Sequence, residues 1–531
     1  SMTSCETINM ANRIFQSNAL ELKPGVTTDI VDPKTGIKLT YGIPLFGAIC
    51  SNLPFIAFEN VPVEDELLIN QEFDRDYVNR KSDLSYFIAL HLANMLRDKG
   101  YLGIITSNAW LGTSAGAAFY CNLLEHYNLL QVHVSGSGRW FQNADVVTTI
   151  LILQKRDSSG NRLPTTFWLW KKTLEAISNN SDYERTIIES SLLNKSSDES
   201  IIKCSEYTSD QIDQLHNMNI SYNALFHDVL WLLDIRQVLT PLRSLFKVFR
   251  GSRRGWDALF FPKDKNSIES KFLHPALFNA KKLDDLVAIP DRKAFSCGLD
   301  LATLETNFKG AYKWIKKFEN QKNGTGKPLT EVLARPKEKW YEMKPNEVAE
   351  IFTMMNPDKR IFFGRFNEPT FINQRLIGLT LLDNSSDVVL YHALLNSILM
   401  KFFIEAVGFG RGLGVLDINK DNVASCLMLN PACLSQHSVN TIKQSFMVVT
   451  GKPIMSVEEE LKDTDWISFN HTVLSAFDID SYYDSICNSL KSMRKARMTA
   501  KDKFEVNETS KVDSIKYDVS LSKEYSIAAE P

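Results

Sequence analysis

Paired cysteines are missing from this sequence, although it has eight cysteines in 531 residues. No two of them have Cys-x-x-Cys spacing, which argues against zinc and against a disulfide framework, and for the reduced thiols of an intracellular protein. No apolar run is as long as a membrane helix, and the N-terminus lacks a signal-peptide pattern. An excess of positive charge is missing too. Because the net charge is −3, any nucleic-acid surface must be a local basic patch.

Helical and strand patterns alternate through the first 155 residues, within a composition that is ordinary for a globular protein. The predicted elements are helices at 83–98 and 115–127 and strands at 101–108, 129–134 and 146–153. This alternation is typical of an α/β sheet domain, and the last two strands are a candidate hairpin. We interpret Asp83 as a helix N-cap and Asn108 as a turn former at a strand end.

The character of the sequence changes after Lys155, where polar, loop-like stretches become frequent. Apolar helical stretches near 166–178 and 222–239 indicate a helical connection, and residues 388–407 predict one long helix. The predicted segments are a sheet domain at 1–155, a helical linker at 156–240, a mixed α/β domain at 241–433, a helical region at 434–497 and a tail at 498–531.

The stretch 46–55 is the most informative part of the sheet domain. Its apolar run ends in Asn52-Leu53-Pro54-Phe55, which predicts a buried strand leading into a stiff loop. Ligand sites in open α/β sheets lie beyond such strand ends. There an Asn oxygen and a fixed backbone carbonyl can accept the two hydrogens of an amino group on a flat ring, while an aromatic side chain stacks on it. The alternative is a plain strand end, whose Asn bonds its own backbone and whose Phe lies in the core.

Three ordered stretches resemble one family: SNLPF at 51–55, the segment 81–124, and GSGRWFQNADVVTTILIL at 136–153. They resemble the motifs of DNA adenine-N6 methyltransferases that carry Asn-Pro-Pro-Tyr/Phe and a C-terminal target-recognition domain. Stretches that resemble later landmarks of this family lie at 246–261, 340–343, 394–399 and 410–423. The resemblance implies a partial Rossmann-like methyltransferase domain at 1–155, with a target-recognition domain at 241–433 that binds double-stranded DNA.

The resemblance also implies a mechanism in which an adenine is flipped out of the duplex. Asn52 would accept one N6 hydrogen and the backbone carbonyl of Leu53 the other, with S-adenosylmethionine as methyl donor. The family has Pro where this chain has Leu53; the contact is made by main chain, so the departure is chemically tolerable, although some stiffness of the loop is lost. Phe55 would stack on the adenine. Phe141 matches the position that holds the other face or edge, with a plain core role as an equal alternative.

The cofactor-binding half of this family has no counterpart before Asn52. The family carries a strand, a Gly-rich loop and an acidic residue for the ribose there, and the preceding residues contain no such unit. Asn18 stands where an Asp commonly lies at the cofactor. A split enzyme, a truncated sequence and a degenerate paralogue that binds DNA without methylating it are the three explanations. We favour the split enzyme, since Met2 resembles a native start, and we expect an open sheet edge and a partner protein that completes the sheet and carries S-adenosylmethionine.

Four arginines are candidate DNA contacts in the second domain: Arg250, Arg253 and Arg254 in one Gly-containing loop, and Arg411 in GFGRGLG. Gly lets backbone approach a phosphate closely, and Arg offers forked donors to phosphate or guanine. Most other basic residues are expected to be solvated surface charge.

The leading hypothesis is therefore site-specific adenine-N6 methylation in a restriction-modification or defence system of a prokaryotic cytoplasm. A catalytically silent DNA-recognition or assembly subunit is the rival. Methylation of RNA or protein is a weaker reading, because the second domain resembles DNA target-recognition modules. No convincing Asp…Glu-x-Lys nuclease cluster and no GxxxxGK[ST] loop is found.

Overall fold

Two six-stranded sheets organise the fold of the computed structural model. The structure describes residues 17–31, 36–73, 81–138, 140–141, 147–157, 160–173, 177, 182–198, 200–252, 255–263, 267–343, 348–383, 385–411 and 415–499. Its elements confirm the predicted class, a partial α/β sheet domain followed by a mixed α/β domain and a helical C-terminal region.

A hairpin of β1 (Thr27–Val31) and β2 (Lys38–Gly42) precedes the first sheet. The strands of that sheet are β3 (Phe46–Asn52), β4 (Leu96–Ser107), β5 (Tyr127–Ser135), β6 (Thr148–Lys155), β7 (Thr165–Trp170) and β8 (Ile202–Tyr207), in the spatial order β3-β4-β6-β5-β7-β8. The pairs β3/β4 and β5/β7 are parallel, while β6 runs antiparallel to both β4 and β5, as the predicted hairpin requires. The carboxyl ends of β3, β4, β5 and β7 therefore lie at one edge of the sheet.

The helices α1 (Val63–Glu72), α2 (Leu84–His91) and α3 (Ser114–His126) accompany this sheet. Rings from α2 and α3 stack, with 4.2 Å between the centroids of Tyr86 and Phe119. The helix predicted at 83–98 is shorter than expected, because α2 passes into a 3₁₀ turn at Leu92–Met95 and β4 begins at Leu96.

The helix predicted near 166–178 is wrong, since this stretch contains the sheet strand β7. Five of the six residues of TTFWLW are buried, so the strand is apolar on both faces and shows no alternation that would distinguish it from a buried helix. Strand β8 also lies in the segment predicted as a linker. Among the described residues of that segment, the α-helices are α4 (Asp182–Asn194), α5 (Ser209–Asn217) and α6 (Trp231–Ile235).

The second sheet follows β9 (Leu239–Pro241). Its strands are β10 (Phe246–Arg250), β11 (Leu273–Leu277), β12 (Arg292–Phe295), β13 (Val348–Met354), β14 (Gly364–Ile372) and β15 (Leu376–Leu381), in the spatial order β10-β15-β13-β14-β11-β12. The pair β11/β14 is parallel and the other ladders are antiparallel. Between the strands lie α7 (Asp257–Phe260), α8 (Leu301–Asn307), α9 (Lys309–Glu319) and α10 (Leu329–Val332).

The long helix predicted at 388–407 is broken into α11 (Val388–Leu395) and α12 (Ile398–Val407), which meet at 62°. Asn396 lies at the break. Its Oδ1 accepts from the backbone N of Phe363 at 3.0 Å, and its Nδ2 donates to the carbonyls of Phe363 and His392, each at 2.9 Å. The break is thus held by contacts with a distant loop. Among the described helices, none is long and apolar enough by itself to cross a membrane; only α11 and α12 together reach that length and apolarity.

Helices dominate the remaining described chain, as predicted for residues 434–497. The strand pair β16 (Phe409–Arg411) and β17 (Val415–Asp417) is followed by α13 (Lys420–Ser425) and β18 (Leu427–Leu429), which pairs with β9. The helices that follow are α14 (Gln436–Thr450), α15 (Val457–Glu460), α16 (Thr464–Ser475) and α17 (Tyr483–Thr499).

Candidate functional site

The loop that begins at Asn52 lies at the carboxyl edge of the first sheet. Asn52 is the last residue of β3 and pairs with Ile105 of β4, and the backbone N of Leu53 continues the ladder to the carbonyl of Ile105 at 3.2 Å. The connection after β5, which carries Phe141, leaves from the same edge of the sheet. The topology therefore brings the two predicted base-contacting segments to one edge.

Leu53 anchors this loop, because its side chain is only 2% exposed whereas Asn52 and Pro54 are exposed. The rings of Phe55 and Phe141 are each 37% exposed, so neither is a plain core residue. The amide of Asn52 and the carbonyl of Leu53 form no hydrogen bond with any residue that the structure describes. With respect to the described residues, both groups therefore keep their acceptor oxygens available to a ligand.

The loop after β3 is hydrogen-bonded to the first residue of α2. The backbone N of Leu84 donates to the carbonyl of Ile56 at 3.0 Å. Asp83 occupies the N-cap position, but its side chain makes no cap hydrogen bond, so the expected capping role is wrong at the side-chain level. Burial raises the pKa of the Asp83 carboxyl, and the nearby carboxylate of Glu59 raises it further. Asn108 opens a 3₁₀ turn directly after β4, as expected of a strand-end turn former.

Asn18 lies in a hydrogen-bonded structural position. Its Oδ1 accepts from the backbone N of Leu20 at 3.0 Å and caps a 3₁₀ turn, while its Nδ2 donates to Asp65 Oδ1 at 2.6 Å. Asp65 belongs to α1, so the Asn18 amide links the chain before β1 to that helix. A role for Asn18 at the cofactor stays a prediction.

Strand β3 has one free edge in the part of the chain that the structure describes, because it pairs with β4 alone. Every second residue of β3 is exposed: Phe46, Ala48, Cys50 and Asn52. Tyr101, which lies opposite Ala48 on β4, is 48% exposed. The predicted open edge is therefore present among these residues, together with a partly apolar sheet face beside Asn52.

A cleft of about 540 Å³ lies where several strands of the second sheet end. Six of its lining side chains are amides or bases: Asn279, Lys281, Asn356, Asn373, Gln374 and Arg375. Arg250, at the end of β10, donates from Nε to the carbonyl of Gln374 at 2.9 Å, so this predicted DNA contact adjoins the cleft. Arg253 and Arg254 lie outside the described residues.

Arg411 ends β16, whose partner strand β17 borders the cleft. The Nδ2 of Asn356 donates to Oδ1 of Asp417 at 2.9 Å, and the backbone N of Ile418 donates to the carbonyl of Met355 at 2.9 Å. The side chain of Arg411 is outside what the structure describes. Arg250 thus adjoins the cleft directly, whereas Arg411 lies at the end of the strand pair that is away from Asp417.

Gln374 is not among the residues that the sequence patterns single out, and Arg375 is counted there only as surface charge. The available signal is Asn373, a turn former between two apolar runs. The sequence around Asn373 does not indicate that the turn lies beside Asn279 and Asn356, because this neighbourhood forms only in the folded sheet.

No protein-family model matches this chain. Solved structures similar to it include the type IIG restriction endonuclease BpuSI, with 13% identity, a TM-score of 0.37, and coverage of 86% of this chain and 53% of that one. The type IIL restriction-modification enzyme MmeI in complex with DNA shows 12% identity, a TM-score of 0.47, and coverage of 85% and 57%. A modification subunit of a putative type I restriction enzyme from Vibrio vulnificus shows 14% identity, a TM-score of 0.24, and coverage of 31% and 34%. The chain spans about half the length of the first two proteins.

Proposed function

We propose that this chain is part of a site-specific DNA adenine-N6 methyltransferase of a restriction-modification system, with S-adenosylmethionine as methyl donor. In that enzyme, the chain would bind the target adenine and recognise the DNA sequence. The observation that carries the proposal is the loop after β3. It combines an uncommitted Asn52 amide, an uncommitted Leu53 carbonyl and a half-exposed Phe55 ring at the carboxyl edge of an α/β sheet.

These groups suit an everted adenine. The Asn52 oxygen accepts one N6 hydrogen and the Leu53 carbonyl accepts the other, which raises the electron density on the nitrogen and polarises it towards the methyl donor. Phe55 stacks on one face of the base, and Phe141 holds the other face or edge. Stacking of a base on an aromatic side chain contributes about 1–3 kcal/mol. The buried side chain of Leu53 keeps its own carbonyl in place, so the missing proline of the family motif costs little of the loop's order.

The described residues alone do not fit the methyl donor. Asn18 is committed to Leu20 and Asp65, and no Gly-rich turn between a strand and a helix adjoins β3 in the described part of the chain. We therefore propose that a partner protein supplies the cofactor-binding segment. The free edge of β3 offers unpaired backbone groups to a further strand, and the exposed face at Phe46, Ala48 and Tyr101 offers apolar area to its helices.

The chemical test uses the assembly purified from its native cells through a tag on this chain. Labelled S-adenosylmethionine and a pool of duplexes are added, and methylated bases are identified by mass spectrometry. We expect N6-methyladenine with the unmodified chain and a loss of roughly 10²-fold or more with Asn52→Ala, at unchanged DNA affinity. Methylated cytosine would contradict the proposal, and intact DNA binding without any methylation would favour the rival, a silent recognition subunit.

The partner is tested by titrating labelled S-adenosylmethionine into the isolated chain and into the native assembly. We expect saturable binding only in the assembly, and loss of the partner when Ala48→Lys places a charge on the exposed face of β3. Val448→Lys, at a 55% exposed position of α14, is the matched control and should keep the partner. Tight cofactor binding by the isolated chain would overturn this part of the proposal.

A further inference from the structure

The turn Asn373–Arg375 between β14 and β15 is fixed by hydrogen bonds from its backbone and from one buried side chain. The backbone N of Asn373 donates to Leu277 O at 3.0 Å, and Met355 N donates to Arg375 O at 3.1 Å. Within the turn, Leu376 N donates to Asn373 O at 2.9 Å, and Arg375 N donates to the Asn373 side chain at 3.0 Å. Arg250 Nε also donates a hydrogen bond to the carbonyl of Gln374 at 2.9 Å. The main chain of this turn is therefore preorganised.

The two outward side chains of this rigid turn are uncommitted. Neither the Gln374 amide nor the Arg375 guanidinium makes a hydrogen bond or ion pair with any residue that the structure describes. The other amides of the cleft differ: Asn356 already donates to Asp417, and Asn279 already accepts from the backbone N of Lys281. Of the three unburied cleft amides, only Gln374 has neither its donor nor its acceptor bonded to a described residue.

The charges around the cleft suit a nucleic-acid edge. Lys281 and Arg375 are exposed cations that line the cleft, and Arg250 is an exposed cation beside it. Asp257 is the one carboxylate among its described lining residues, while Asp291 and Asp417 accept hydrogen bonds from the lining residues Asn279 and Asn356. A free carboxamide can bond an adenine bidentately at N6 and N7, and a free guanidinium can bond guanine at O6 and N7. Lysine and a tethered arginine are better suited to phosphate.

We propose that Gln374 and Arg375 read two neighbouring base pairs of the recognition sequence, an A·T pair through Gln374 and a G·C pair through Arg375. Arg250 and Lys281 grip the phosphates beside them. The adjacency follows from the chain, because consecutive residues of one fixed turn reach neighbouring base edges. This inference rests on the proposed function, since it assigns the sequence selectivity of that DNA-binding chain.

The experiment selects duplexes from a random pool with the full-length chain and sequences the bound fraction. We expect the wild-type consensus to contain one A·T pair directly beside one G·C pair, with the adenine and the guanine on the same strand or on opposite strands. Gln374→Ala should lose about ten-fold of the preference at the A·T position alone, and Arg375→Ala about ten-fold at the G·C position alone. Gln436→Ala and Arg185→Ala, at exposed sites on α14 and α4, should leave the consensus unchanged.

Conservative variants keep the test decisive if an alanine variant folds poorly. Gln374→Glu removes the donor and should shift the preference from A towards C, whereas Arg375→Lys should retain guanine. A consensus that both alanine variants leave intact would overturn the inference and leave the proposed function standing. Uniform weakening of all sequences with a smaller salt slope would also overturn it, as it marks phosphate contacts. If the wild-type chain selects no sequence, the DNA-selecting role itself fails.

Discussion

At the scale of the residue, Gly116 marks a close contact between α3 and the 3₁₀ turn Asn108–Leu111 that follows β4. Gly116 lies in the first turn of α3, where its backbone N donates to the Thr113 hydroxyl at 3.0 Å. A Cβ at this position would lie 2.1 Å from the carbonyl oxygen of Trp110. Trp110 cannot yield easily, since it is 1% exposed and its Nε1 donates to Thr149 Oγ1 at 2.9 Å.

Gly116→Ala is therefore expected to destabilise the protein, although the same change inside an unobstructed helix usually stabilises it by about 1 kcal/mol. Overpacking against backbone costs about 1–3 kcal/mol, which scanning calorimetry would detect as a lower melting temperature. Gly324→Ala is the matched control, because no atom lies within 4 Å of its added Cβ. A Gly116→Ala variant that melts at the wild-type temperature would refute the close approach.

At the scale of the element, α17 joins parts of the chain that are far apart in sequence. Glu405 of α12 lies between Arg494 and Arg497 of α17, with 3.5 Å from Arg494 Nη1 and 3.0 Å from Arg497 Nη2 to Glu405 Oε2. All three side chains are buried. On the same helix, Ser492 contacts His227 Nδ1 at 2.8 Å, next to the strands of the first sheet. Helix α17 thus connects the helical C-terminal region to α12 and to the segment around His227.

Glu405→Gln should loosen this connection, because it removes the carboxylate that the buried guanidinium groups of Arg494 and Arg497 share. Arg494 then keeps only its pair with Glu458, whose side chain is half exposed. Removing one partner of a buried ion pair costs about 3–5 kcal/mol, which urea unfolding followed by tryptophan fluorescence would measure. Glu189→Gln breaks an exposed pair with Arg185 on α4 and should change stability little. Equal effects of the two substitutions would mean that the Glu405 cluster contributes no more than a surface pair.

Element prediction from sequence succeeded where the local pattern determines the structure. The run at 101–153 gave β4, α3, β5 and β6, since strand runs and helical spacing alternate there. It failed for β7, which is apolar on both faces, and at Asn396, whose amide bonds to Phe363 far away in the sequence. The exposed loop at Asn52 to Phe55, for which base binding is proposed, could be predicted because its residues are contiguous. The cleft with Gln374 was not, because only folding brings its lining residues together.

At the scale of the whole molecule, three buried histidines, His133, His227 and His392, make the stability of the fold depend on pH. Burial lowers the pKa of His133 in β5 to about 4, and burial lowers the pKa values of His227 and His392 to about 3. His133 also has a fixed tautomer, because its Nδ1 accepts from Trp170 Nε1 at 3.1 Å. Protonation of His133 Nδ1 would place a second N–H donor opposite the Trp170 N–H and would break this hydrogen bond.

The sign of the effect follows from proton linkage. A histidine in the unfolded chain titrates near 6.5, so between pH 6.5 and 4 the unfolded state binds a proton that folded His133 does not. Stability is full above pH 6.5 and falls as the pH drops to 4, by about 3 kcal/mol for His133 alone. His133→Asn should flatten the pH dependence of urea unfolding in this window, whereas His437→Asn, at an exposed position of α14, should not. Identical slopes for wild type and His133→Asn would show that His133 titrates alike in both states.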